Sequence, residues 1–146
     1  MREKARGLGE GKIEADLAKD IDAFIEQAES FHDAAARELE RAVEQKDAIL
    51  FRDACEKAWN AVVQATNALF LKKNVPLAKS HWERRKRLEE LEEIEPVVEK
   101  LGLLDRFSAR DHHLHELGFY EGILSPATIK IELKKVRKYI EDIKSL

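Results

Sequence analysis

The sequence is short of the residues that make turns, bridges and membrane spans. It holds one cysteine, one methionine, three prolines and six glycines in 146 residues. A lone thiol, Cys55, excludes an intramolecular disulfide and any cysteine-rich zinc site. Gly7, Gly9 and Gly11 crowd into the first dozen residues, and no glycine falls between Lys12 and Leu101. Tight β-hairpins draw on Gly or Asn-Gly turns, so this stretch is poor in hairpin signals. The Gly7/Gly9/Gly11 spacing does not make a phosphate loop, because no strand precedes it. No run of about 18 apolar residues occurs, so nothing spans a membrane. The opening Met1-Arg2-Glu3-Lys4-Ala5-Arg6 lacks the apolar stretch of a secretory signal. The expectation is an intracellular, cytoplasmic protein.

Charge is abundant but nearly balanced. Asp, Glu, Lys and Arg make up 38% of the chain, 26 basic against 29 acidic, for a net charge of −3. That balance argues against a wholly basic nucleic-acid binder and against an acidic disordered tail. A hydrophobic share of 44% is enough for a real core, and 146 residues suit one domain. Asn and Gln together number six; high Glu and Lys with few thermolabile residues is the composition expected of a thermophile.

The apolar periodicity is helical throughout. Residues 1–12 read as a flexible arm, ahead of a single domain over 13–146. Ile13, Leu17, Ile21, Phe24, Ile25 and Ala28 open a helical stripe that continues through Phe31, Ala35, Leu39, Ala42 and Val43. Ser30 could cap a second start, so one long helix or two are both compatible with residues 13–46. Asp47 caps the next helix, roughly 48–73. There Phe51, Cys55, Ala58, Val62, Ala65 and Leu69 form one stripe and Trp59, Val63, Thr66 and Phe70 an adjacent one. Ala54, Ala61 and Ala68 on the other flank allow close helix approach. With well over half its circumference apolar, this is the expected central helix. Asn60, Gln64 and Asn67 form a polar stripe on it, a solvent or subunit-facing edge or a polar ligand site. Ser80-x-x-Glu83 is a capping box for a helix at 81–94. Pro96 breaks it, Gly102 is a C-terminal cap, a further helix covers 103–123, and Ser125-Pro126 opens the last, 126–145. The fold class is all-α, an antiparallel bundle of about five helices.

Three features could carry chemistry. Lys72, Lys73, Lys79, Arg84, Arg85, Lys86 and Arg87 form a basic block, followed by the acids Glu89, Glu90, Glu92, Glu93 and Glu95. Bases before acids oppose the helix dipole, so local stability does not explain the order. Either an anionic, phosphate-bearing partner or ion pairing with a neighbouring helix or subunit would. Second, the segment Asp105–Gly122 carries three of the five histidines. Arg110 falls on the core stripe of Leu103, Phe107, Leu114 and Leu117, where an unpaired guanidinium is very costly. Asp111 and His115, four apart, allow a carboxylate to hold an imidazole. Gly118 and Gly122 fit a close approach by another backbone or a ligand. Third, His112, His115 and Glu116 have helical metal-ligand spacing, but no matching pair is evident elsewhere, and His32 and His81 read as surface or end-of-helix residues. No metal or other cofactor is expected.

These residues carry a resemblance. The Glu44-Gln45-Lys46-Asp47 turn, Ala54-Cys55-Glu56-Lys57-Ala58-Trp59-Asn60-Ala61 with Gln64-Ala65, Lys79-Ser80-His81, and Leu114-His115-x-x-Gly118-Phe119-Tyr120-Glu121 resemble the HEPN superfamily and, within it, the archaeal PaREP family, over residues 15–145. The resemblance implies a HEPN-like bundle that homodimerises. Active members look like metal-independent ribonucleases with an Arg, a polar residue, three further residues and a His. Arg110-Asp111-His112-His113-Leu114-His115 fits that spacing. His115 would be the general acid or base, Arg110 would stabilise phosphate charge, and Asp111 would orient. Asp111 stands where Asn or His is usual. Three readings follow: a dimeric module binding RNA, a nucleotide or a partner protein; a ribonuclease of toxin or defence type using Arg110 and His115; and a structural bundle without a ligand. An Arg110 fully buried and paired inside one subunit would count against the ribonuclease.

Overall fold

The computed structural model describes residues 2–146, with side chains described from residue 13 onward. Among the described residues there is no strand, and the elements run α1 (Arg2–Gln45), α2 (Ala48–Lys72), α3 (His81–Ile94), α4 (Pro96–Lys100), α5 (Leu103–Arg110), a π-helix (Asp111–Tyr120) and α6 (Pro126–Lys144). No helix among them is long and apolar enough to cross a membrane.

The capping residues account for most of the boundaries. Asp47 Oδ1 accepts the N–H groups of Ile49 at 2.9 Å and Leu50 at 3.3 Å, which stops α1 and starts α2 within two residues. Ser80 Oγ accepts from Glu83 N–H at 3.1 Å, and Glu83 Oε2 accepts in turn from Lys79 N–H at 2.9 Å. Ser125 does the same for Thr128 N–H at 3.2 Å. Ser30 caps nothing, and α1 passes through it as one helix. The backbone of the expected arm, residues 1–12, continues α1 from Arg2; Met1 and the side chains of residues 2–10 and 12 lie outside the described residues.

α2 is the central helix. Ala54, Ala58, Trp59, Ala61, Val62, Ala65, Ala68, Leu69 and Phe70 are all sealed from solvent. α1 packs along it as an antiparallel hairpin, and α6 closes the pair. On the α6 side Thr66 Oγ1 lies 2.6 Å from Tyr139 Oη. His32, expected at the surface, is buried instead, with Nε2 2.9 Å from the Leu133 carbonyl oxygen. The core stripe of α1 begins at Ile25, with Ile21 and Phe24 only half-covered and Ile13 exposed. α3, α4 and α5 pack on one another as a smaller layer, which touches α2 through α5.

Two departures from the expected five helices share a cause in local geometry. Pro96 starts a separate short helix, and Gly102, at φ +62°, reverses the chain into α5. The helix expected over 103–123 turns α to π at Asp111, with the i→i−5 bond of Glu121 N–H to the Glu116 carbonyl at 2.9 Å. The wider turn seats Gly118 directly on α2, where a β-carbon would stand 2.6 Å from Cys55 Sγ. Arg52 closes the π-helix by donating from Nε to the Phe119 carbonyl at 2.7 Å and from its terminal nitrogen to that of Tyr120. Gly122 then leaves the helix at φ +64°.

Candidate functional site

Where the π-helix crosses α2 and meets the start of α3, histidines and aromatic rings converge. His115 Nδ1 lies 2.9 Å from Glu56 Oε2 of α2. Its ring is 5.2 Å from that of His81, 5.8 Å from Trp59 and 4.9 Å from Tyr120, centroid to centroid. His81, the first residue of α3, stands edge-on to Trp59 at 5.0 Å. Trp59 Nε1–H donates to His81 Nε2 at 3.3 Å, while an Arg84 terminal nitrogen lies 3.1 Å from His81 Nδ1.

That arrangement has more donors than acceptors. Burial, and then the neighbouring Arg84 charge, push the His81 pKa down, so the ring is held neutral. A neutral imidazole has one lone-pair nitrogen, and here two donors face its two nitrogens. Arg84 Nε is also buried without a hydrogen-bond partner among the described residues. Buried donors left unmatched are costly, and an anion would supply the acceptors.

The other sequence-singled residues of this segment lie elsewhere. Arg110, 6% exposed, turns toward α6, with Nε 2.5 Å from Oε2 of Glu132, itself 2% exposed. His113 Nδ1 lies 3.0 Å from the other oxygen of Glu132. Arg110 and His115 therefore engage different carboxylates, on α6 and α2, and the Arg110 charge is neutralised inside the subunit. Asp111 is buried; its charge opposes the downward shift at His81. Burial, then the charges of Glu132 and Glu56, push the Cys55 thiol up to about 12. The exposed pair His112 and Glu116 stands apart at 2.8 Å. Among the described residues no group of three or more His, Cys, Asp or Glu is arranged to hold a metal ion.

The basic block divides by task. Lys72 Nζ donates to the carbonyls of Ile143, Lys144 and Leu146 at 2.9–3.0 Å and so finishes α6. Lys73 pairs with Glu95 at 3.4 Å. Arg84 and Arg87 reach back to the carbonyls of Ala78 and Pro76, so tertiary bonds to the loop before α3 override the unfavourable dipole order. Lys79 is exposed. Arg85 and Lys86, with Trp82, Leu104, Asp105 and Ser108, line a surface groove of about 510 Å³ between α3 and α5, and Glu89 edges it. The stripe of Asn60, Gln64 and Asn67 is not a plain solvent edge. Asn67 is buried and donates to Gln64 Oε1 at 3.2 Å, while Gln64 borders a groove against α1.

His81, Trp59, Glu56 and Glu132 are the residues that sequence reasoning left out of the site, whereas Arg84 was already singled out in the basic block. The capping box at Ser80 located His81 at the start of a helix, but nothing in the linear pattern shows that this start faces Trp59. The model of the archaeal PaREP1/PaREP8 family matches residues 30–140, a span that contains every residue of the cluster. Comparison with curated proteins gives no match.

Proposed function

The chain belongs to that archaeal family, and from this premise we propose that it is a nucleic-acid-binding module that takes a phosphate of single-stranded RNA at the His81–Arg84 cluster. The carrying observation is the donor excess there: Trp59 N–H, two Arg84 donors and a single imidazole lone pair. The positive end of the α3 dipole and the flanking Lys79 and Arg85 favour the same anion. Tyr120, 61% exposed, stands against His115, and Trp82, 65% exposed, follows His81 in the chain and lines the neighbouring groove. Basic groups interleaved with open aromatic faces suit a single strand, whose bases stack while its phosphates are neutralised. In this reading the bundle is HEPN-like and works as a homodimer.

A labelled RNA oligonucleotide, titrated between 50 and 200 mM salt, tests the reading. Binding that weakens steeply with salt, and at least tenfold in Arg85→Glu, is expected. No salt-dependent binding would leave the structural bundle as the better reading. One observation favours a second reading, the ribonuclease: Glu56 holds His115 through Nδ1, which leaves Nε2 for proton transfer. Arg110, engaged with Glu132, supplies no phosphate contact in it. Cleavage of RNA in EDTA that disappears in His115→Ala supports that reading, and equal cleavage by both proteins marks contamination.

A further inference from the structure

We propose that the groove between α3 and α5 is a base-reading subsite for a guanine nucleotide unit, stacked on Trp82 and held by its Watson–Crick edge on Asp105. The inference rests on the nucleic-acid reading above and names the base it selects.

The groove brings together the groups such a base requires. Trp82 offers an open indole face at one wall, and Leu104 an apolar surface in the same groove. Asp105 is exposed and has no hydrogen bond or ion pair among the described residues, so both its oxygens are free to accept. Arg85 is likewise without a polar partner among the described residues. Lys86, 3.7 Å from Glu89, adds a second cation. Arg85 lines this groove and is also close enough to His81 for its charge to act on that ring.

The unpaired carboxylate decides between bases. Guanine presents two parallel donors, N1–H and N2–H, to a carboxylate. Adenine and cytosine present one amino donor beside an acceptor nitrogen that a carboxylate repels. Uracil presents one N–H between two carbonyl oxygens. A bidentate contact to the correct base edge discriminates by about 5- to 150-fold, while stacking on the indole adds affinity for any base. The Ser108 hydroxyl, able to donate or accept, can serve the remaining edge atoms. Lys86 suits guanine O6 or a neighbouring phosphate.

Fluorescein-labelled RNA hexamers test the assignment: one all uridine, one with a single guanosine in a uridine background, and one with a single adenosine, alongside GMP as the free nucleotide. The guanosine hexamer should bind at least fivefold more tightly than the other two. Trp82→Ala should weaken it by about 5- to 150-fold. Asp105→Asn, whose amide no longer offers two acceptors, should bring the guanosine-to-uridine ratio close to one. Circular dichroism verifies the helical content of both surface variants. Equal binding of the three hexamers by the unsubstituted protein overturns the guanine assignment and leaves the nucleic-acid reading standing. So does a preference that survives Asp105→Asn. Failure to bind any hexamer or GMP overturns both. If GMP binds as tightly as the hexamer, the guanine subsite stands and its ligand is the free nucleotide.

Discussion

Glu132 holds the Arg110 guanidinium and the His113 imidazole at the buried face of α6. Glu132→Ala removes the carboxylate and leaves a guanidinium that is 7% exposed at its side chain with nothing to neutralise it. Breaking a buried pair from one side costs about 3–5 kcal/mol, because the remaining charge has lost both water and partner. At this chain length that corresponds to a fall in Tm of roughly 6–20 °C. The double variant Arg110→Met/Glu132→Leu should instead lie within about 1–2 kcal/mol of the parent, since it buries neither charge. Guanidinium chloride unfolding at pH 8, followed by circular dichroism on the parent, Arg110→Met, Glu132→Leu and the double variant, closes the cycle, with Glu132→Ala measured beside them. A Glu132→Ala loss below about 1 kcal/mol would refute the claim that the pair is a buried, mutually dependent unit. A double variant as damaged as the sum of the single ones would refute it equally.

Three further outcomes are expected. Gly118→Ala should destabilise by about 1–3 kcal/mol, because its β-carbon would stand 2.6 Å from Cys55 Sγ; a Gly118→Ala/Cys55→Ala pair should recover part of that loss in the same unfolding assay. Cys55, pushed up to about 12 from 9.0, should react with a thiol reagent at pH 8 roughly a thousandfold more slowly in the native than in the denatured protein, and native labelling within tenfold of denatured would contradict its burial. The His81 pKa is lowered from 6.5, so the fold binds fewer protons there than the unfolded chain. Its contribution is present above pH 6.5 and is lost as pH falls below it. Unfolding free energies measured from pH 8 to 5 should fall less steeply in His81→Asn than in the parent, and identical slopes would remove His81 from the account.

Local rules read well where the local geometry is ordinary. Asp47, Ser80 and Ser125 each cap the helix their position announces, because a cap depends on three or four consecutive residues. The apolar width of the 48–73 segment likewise found the central helix. The reading faltered at Asp111, where a projection at 3.6 residues per turn places Leu117 in the core. In the wider π-turn Gly118 is buried and Leu117 is half-covered. The histidine cluster was hidden for another reason. Glu56, Trp59, His81 and His115 come from three elements, and which helix start faces which helix side is a tertiary fact that no spacing encodes. His32 was misplaced for the same reason, since its partner is a carbonyl 101 residues away.

The length of α1 affects how the molecule will behave in solution. At 1.5 Å per residue, 44 residues form a rod of about 66 Å. A compact chain of this size has a radius of gyration near 15 Å and, as a sphere, a diameter of about 38 Å. Lys72, ending α2, feels the charge of Asp22, so the stretch of α1 before that level extends past the hairpin. An elongated particle drags more water than a sphere of equal mass and leaves a sizing column early. A monomer of this shape will mimic the elution of a globular dimer, and only light scattering or sedimentation equilibrium, which weigh the particle regardless of its outline, can count its subunits.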